Sequence, residues 1–126
     1  FNVITQQKID PTWEKYSAQR LESLKSVKKP VFINVSADWC ITCLLNEKLV
    51  LNTDTFHSTL KENNITYLKA DWTNHDVEIT NFLNNYQRTG VPLYVYFPGN
   101  GENEQILNQI LSPAEITTVL TKKTIP

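Results

Sequence analysis

The sequence predicts an α/β domain with a central mixed β-sheet flanked by helices, and three observations carry that expectation. Two short apolar runs, Val31 to Val35 and Ile65 to Ala70, read as buried strands. Segments of helical periodicity alternate with them, which implies parallel strands joined by crossover helices. The last third instead holds a third apolar run, Leu93 to Phe97, followed by Gly99-Asn100-Gly101. Such a turn signal returns the chain as an antiparallel edge strand.

Each element has its own local reason. Asp10-Pro11 reads as a helix cap followed by proline at the first helical position. Trp13, Tyr16, Leu21, Leu24 and Val27 then give a rough helical stripe, stopped by Lys28-Lys29-Pro30. After the strand at Val31 to Val35 come the two cysteines, and Leu44 to Leu51 reads as helix. A second helical piece runs from about Asp54 to Asn63, with Phe56 and Leu60 on one face. Beyond the strand at Ile65 to Ala70, Ile79, Phe82, Leu83 and Tyr86 fall at i, i+3, i+4 and i+7. Asp76 and Glu78 lie in the first turn of that helix, where negative charge suits its dipole. Glu104 to Ile110 is the expected return strand. Ser112-Pro113-Ala114-Glu115 is a capping box opening a final helix, with Lys122 and Lys123 complementing its end.

At 126 residues the chain holds one core, so a single domain over residues 1–126 is expected, with 1–11 as an N-terminal extension. Hydrophobic residues at 40% and charged residues at 20% give a globular balance. A formal charge of -1 argues against nucleic acid or an anionic membrane as the main partner. No apolar stretch is long enough to cross a bilayer. The chain begins at Phe1 and contains no methionine, so a processed product or an excised domain is expected.

Only two cysteines are present, Cys40 and Cys43, two residues apart at the strand-to-helix turn. A bond between them closes almost no loop and contributes little chain entropy, so it is suited to being made and broken. A helix start aims unpaired N–H groups at Cys40 and favours its thiolate, while Cys43, one turn on, can reach the same sulfur. Cys40 is therefore the expected exposed attacker and Cys43 the buried resolver. The alternative is a structural or metal-binding pair. A four-ligand zinc site would need two more ligands, and His57 and His75 have no motif spacing with the cysteines. No metal and no cofactor beyond the redox-active disulfide is expected.

Ser36-Ala37-Asp38-Trp39-Cys40-Ile41-Thr42-Cys43 after a buried strand, with Gly90-Val91-Pro92 before a later one, resembles the thioredoxin superfamily. More narrowly, Ala37 to Thr42, Asn46-Glu47-Lys48, Asp71-Trp72-Thr73 and Gly90 to Tyr94 resemble the C-terminal domain of the DsbD and ScsB thiol:disulfide interchange proteins. The resemblance covers roughly residues 12 to 122. It implies a thioredoxin-like fold and a protein-disulfide reductase located in the periplasm as part of a bacterial inner-membrane protein. Its partners would be protein thiols and disulfides, among them the transmembrane and N-terminal domains of the same parent. The domain itself would be a monomer that does not enter the membrane. The resemblance also implies a cis peptide bond at Pro92, with Val91 offering backbone groups to a partner's extended segment and Trp39 shaping the docking surface.

The pattern departs from the family at Asn34, where many members carry a buried aspartate beneath the cysteines. Glu47, four residues after Cys43, matches a glutamate of DsbD-type domains. Asn34 cannot titrate, so two readings of Glu47 stand: it alone tunes or serves the cysteine protons, or it is a surface glutamate beside Lys48. Two other functions also stand: a free-standing periplasmic thioredoxin serving cytochrome c maturation, and a copper-binding module on the same scaffold. Copper binding would ask for a histidine near Pro92 and a longer cysteine spacing.

Overall fold

The structure is a computed structural model that describes residues 12–121. Five strands form one mixed sheet: β1 (Glu14–Lys15), β2 (Val31–Ser36), β3 (Thr66–Asp71), β4 (Leu93–Phe97) and β5 (Gln105–Ile106). Their order across the sheet is β1-β3-β2-β4-β5. β2 runs parallel to β3 and antiparallel to β4, so the central strand joins the parallel and antiparallel halves. The helices are α1 (Ala18–Ser26), α2 (Ile41–Asn46), α3 (Asp54–Glu62), α4 (Val77–Asn85) and α5 (Pro113–Thr121). α2 continues without a break as a π-helical turn, Glu47–Leu51.

Strand alternation sorts the core into two layers. Val31, Ile33 and Val35 face α1 and α4, packing with Leu21, Leu24, Ile79, Phe82 and Leu83. Phe32 faces the other way with Tyr67, Tyr94 and Tyr96, against Leu51, Phe56, Leu60, Ile116 and Leu120. Asn34 lies on this second face at the end of the row. It is fully buried, and its register partners are Lys69 on β3 and Tyr94 on β4. Gly99 closes the turn after β4 at φ +84, and a Cβ there would meet the Lys28 carbonyl at 2.7 Å.

The fold class stands as expected, while several boundaries differ. The N-terminal helix is shorter than its stripe suggested. Asp10-Pro11 lies outside the described residues, and the chain at Glu14–Lys15 is extended and paired with Leu68 and Lys69. Tyr16 N–H also bonds to Lys69 O at 2.9 Å, so the helix waits for the Ser17 hydroxyl, which caps Arg20 N–H. Helix α2 starts at Ile41, directly after the first cysteine. Asp76 caps α4 from outside, accepting from Ile79 N–H. The return strand spans Gln105–Ile106 only. Asn46 captures the backbone beyond it, taking the Leu111 N–H and bonding the Gln109 carbonyl, groups a longer strand would have paired. Ser112 caps Glu115 N–H as the box predicts, but the Glu115 carboxylate accepts from Asn108. Lys122 and Lys123 lie outside the described residues.

Candidate active site

The site is built where β2 ends and α2 begins. Trp72 N–H donates to Ser36 O at 2.7 Å and Cys40 N–H to Ala37 O at 3.1 Å, which fixes a tight turn before the helix. Cys40 is the N-cap of α2, and its Sγ accepts the Cys43 N–H at 3.1 Å. A sulfur in that place stands before the unpaired N–H groups of the first turn, where negative charge is favoured. Cys40 and Cys43 are joined as a disulfide with Cα atoms 5.2 Å apart. Cys43 is 0% exposed and Cys40 keeps 7%, so only the first sulfur's residue touches solvent.

Val91 and Pro92 reach the same place through register. Val35 pairs with Leu93, which brings the residues before β4 beside the end of β2. The Val91–Pro92 bond is cis, and half-buried Val91 packs on Ala37, Cys40 and Cys43. Pro92 is buried, and its carbonyl accepts from Gln109 Nε2 at 3.4 Å.

Trp39 stands outside the core, 52% exposed. Its Nε1–H bonds the Thr73 carbonyl at 3.1 Å, its ring stacks on His75 at 5.7 Å, and it lies 6.0 Å from Trp72. Trp72 is buried and bonds Thr80 through its indole N–H. Thr73 holds both sides of this corner. Its Oγ1 accepts the Asp38 N–H at 2.9 Å, and its own N–H and hydroxyl bond the Asp71 carboxylate. The Thr73 hydroxyl, opposed in part by desolvation, holds the Asp71 carboxyl below its ordinary range.

Beneath α2, Asn34 and Glu47 come together. Asn34 Nδ2 donates to Tyr67 OH at 3.0 Å and faces Glu47 Oε2 at 3.4 Å. Lys69 Nζ lies 3.4 Å from the same Glu47 oxygen, and the Glu47 side chain is 13% exposed. Glu47 therefore points inward and is not the surface glutamate of the alternative reading. Asn34 Oδ1 is a buried acceptor with no hydrogen-bond partner among the described residues. Burial raises the Tyr67 and Tyr94 hydroxyls above the ordinary tyrosine range; the Glu47 charge adds to this, and the bonds from Asn34 and Asn46 oppose it.

Sequence reasoning passed over Lys69, named Thr73 and Asn46 only within the resembling motifs and without a role, and weighed His75 only as a ligand. The Lys69 signal was present: Tyr67 and Lys69 alternate on β3 as Phe32 and Asn34 do on β2. Among the described residues, no group of three or more His, Cys, Asp or Glu is placed to hold a metal ion. No helix among them is long and apolar enough to cross a membrane.

Known proteins resemble this chain. The chain is 30% identical over 83 residues to the thiol:disulfide interchange protein DsbD of Vibrio vulnificus (strain CMCP6), a stretch covering 66% of this chain and 14% of that protein. It is 32% identical over 73 residues to DsbD of Yersinia pestis (strain Pestoides F), covering 58% of this chain and 12% of the relative. The chain thus spans a small part of the length of these relatives. Among solved structures, it resembles the oxidised C-terminal domain of Neisseria meningitidis DsbD with a TM-score of 0.66 at 22% identity, over 83% of this chain and 94% of that one. It resembles a thioredoxin from Thermus thermophilus with a TM-score of 0.65 at 16% identity, over 87% and 85% of the two chains. The family model described as thioredoxin-like matches residues 12–99, the span that holds the cysteine turn, the sheet's central strands and Pro92. On that match the chain belongs to the thioredoxin-like family.

Proposed function

We propose that this domain is a protein-disulfide reductase working through Cys40 and Cys43. In this reading it relays electrons from a membrane partner domain to periplasmic disulfides, as part of a DsbD-type protein. The observation that carries the reading is the disulfide at the start of α2, one sulfur capping the helix and the other fully buried. The printed name of the relatives, thiol:disulfide interchange protein, supports it.

In the reduced domain the Cys40 thiolate attacks one sulfur of a partner disulfide. A mixed disulfide forms, the partner's S–S bond breaks, and its second sulfur leaves as a thiolate that takes a proton. The Cys43 thiol gives up its proton and attacks Cys40 Sγ, which closes the Cys40–Cys43 bond and releases the other partner thiol. Two electrons and two protons pass to the partner. A dithiol donor restores the pair by the reverse sequence. Trp39, Val91 and Pro92 frame the docking surface around Cys40. Glu47, with Asn34 and Lys69 around it, is the carboxylate one helical turn from Cys43 and tunes the departure of its proton.

Reduction of insulin by the reduced chain tests the reading, with the potential set by equilibration against glutathione. The expected potential lies at roughly −200 to −270 mV, and each 30 mV is about 1.4 kcal/mol for two electrons. A value near about −120 mV would mark an oxidant and overturn the reductase reading.

A further inference from the structure

Helix α2 and its π turn bury one face and expose another, and the exposed face is the anomaly. Cys43, Asn46, Val50 and Leu51 are buried. Ile41, Leu44, Leu45 and Leu49 are 74%, 47%, 52% and 63% exposed, and Lys48 is the one charged side chain among them. The π turn matters here. A wider turn advances less per residue than an α turn, so Leu49 stays in line with Ile41 and Leu45. A contiguous aliphatic stripe on a helix's solvent side marks an interaction surface.

We propose that this stripe is the docking face for a folded protein substrate whose disulfide lies within an apolar patch, in preference to small disulfides that cannot reach the stripe. The inference rests on the reductase reading and names its substrate class. Continuity with the reacting pair identifies the occupant. Ile41 sits between the two cysteines, and half-exposed Trp39 precedes them, so whatever presents a sulfur to Cys40 must lie on the start of the stripe. A second copy bound there would cover the pair and block exchange. From Trp39 to Asn46 no residue is charged, and Lys48 lies a full turn beyond Cys43, so the part of this face nearest the cysteines offers no ionic contact to a small disulfide. A stripe of this size suits a redox encounter, which is brief and buries less surface than a stable complex.

The test compares two disulfides on the full chain, wild type and Leu45→Gln/Leu49→Gln. Both positions are more than half exposed and glutamine keeps helix propensity, so the fold is retained. The probes are insulin, as a protein disulfide, and 2-hydroxyethyl disulfide, which is too small to reach the stripe. The expected result is a rate with insulin lower by about tenfold and an unchanged rate with the small disulfide. Equal rates with insulin overturn the proposal, and so does a parallel loss with both probes, which would place the effect on the cysteines themselves. A wild-type dimer, or wild-type binding to phosphatidylcholine vesicles, that the double variant abolishes would assign the stripe to another occupant and also overturn it. Failure of the reductase reading is distinct, because the wild type would then reduce neither probe, and both readings would fall.

Discussion

Asn34→Asp would set a second carboxylate against Glu47 in a closed place. The side-chain nitrogen that aspartate would replace with oxygen lies 3.4 Å from Glu47 Oε2, and the residue is fully buried. Two unit charges at that separation repel by about 5 kcal/mol at an effective dielectric constant of ~20. The Lys69 ammonium on the same Glu47 oxygen, partly exposed, offsets a share of this. The two carboxyls then hold one proton between them, and its release moves up by as much as about 3.5 pH units. In the unfolded chain the same groups release it near pH ~4. The folded value is the raised one, so the variant is least penalised below the unfolded value and loses stability as pH rises through the folded one. With the Lys69 offset, the deficit against wild type should grow by about 1–3 kcal/mol between pH ~5 and ~8. Urea unfolding followed by circular dichroism on the oxidised chain reads this without cysteine titration. Adding Glu47→Gln should shrink the pH dependence to the part that burial of the new carboxyl alone leaves, as expected for a directly coupled pair. A deficit that stays flat from pH ~5 to ~8 would refute the placement of Glu47 against Asn34.

Three further outcomes follow from the same contacts. Glu47→Gln removes a negative charge and leaves Lys69 uncompensated, so the apparent pKa of Cys40 in the reduced chain should fall, read as thiolate absorbance against pH; an unmoved curve would show that Glu47 does not act on the pair. Asn34→Asp should move the same curve upward. Asn46→Ala leaves Tyr94 OH, the Gln109 carbonyl and the Leu111 N–H without their bonds at 2.8, 2.8 and 3.1 Å, and should cost about 3 kcal/mol in urea unfolding. A loss under about 1 kcal/mol would mean that the β5–α5 segment is held by other contacts.

Periodicity made most of the fold legible. The strand Leu93–Phe97 and the helices from Asp54, Val77 and Pro113 lie where their apolar patterns place them. What escaped had no local pattern to show. Two residues cannot display a period, so Glu14–Lys15 read as part of a helical stripe until Lys69 and Leu68 paired with them. A π turn leaves the same composition as an α turn, and its effect on Leu49 appears only once the buried face is known. The cysteines and Pro92 were legible because their spacing and motif are chemical signatures. Glu47 was legible through its i+4 relation to Cys43, but its direction was not. That direction depends on Asn34 and Lys69, which only the β2–β3 register brings opposite one another. Thr73 and His75 belong to a loop whose contact with Trp39 exists only in the folded chain.

Trapping the mixed disulfide tests the central claim most directly. Reduced Cys43→Ser and reduced Cys40→Ser are each mixed with insulin and mapped by mass spectrometry. Cys43→Ser should accumulate an adduct through Cys40, which has lost its resolving partner, whereas Cys40→Ser should stay unreacted over the same time. An adduct forming through Cys43, or none with either variant, would contradict an exchange initiated by Cys40.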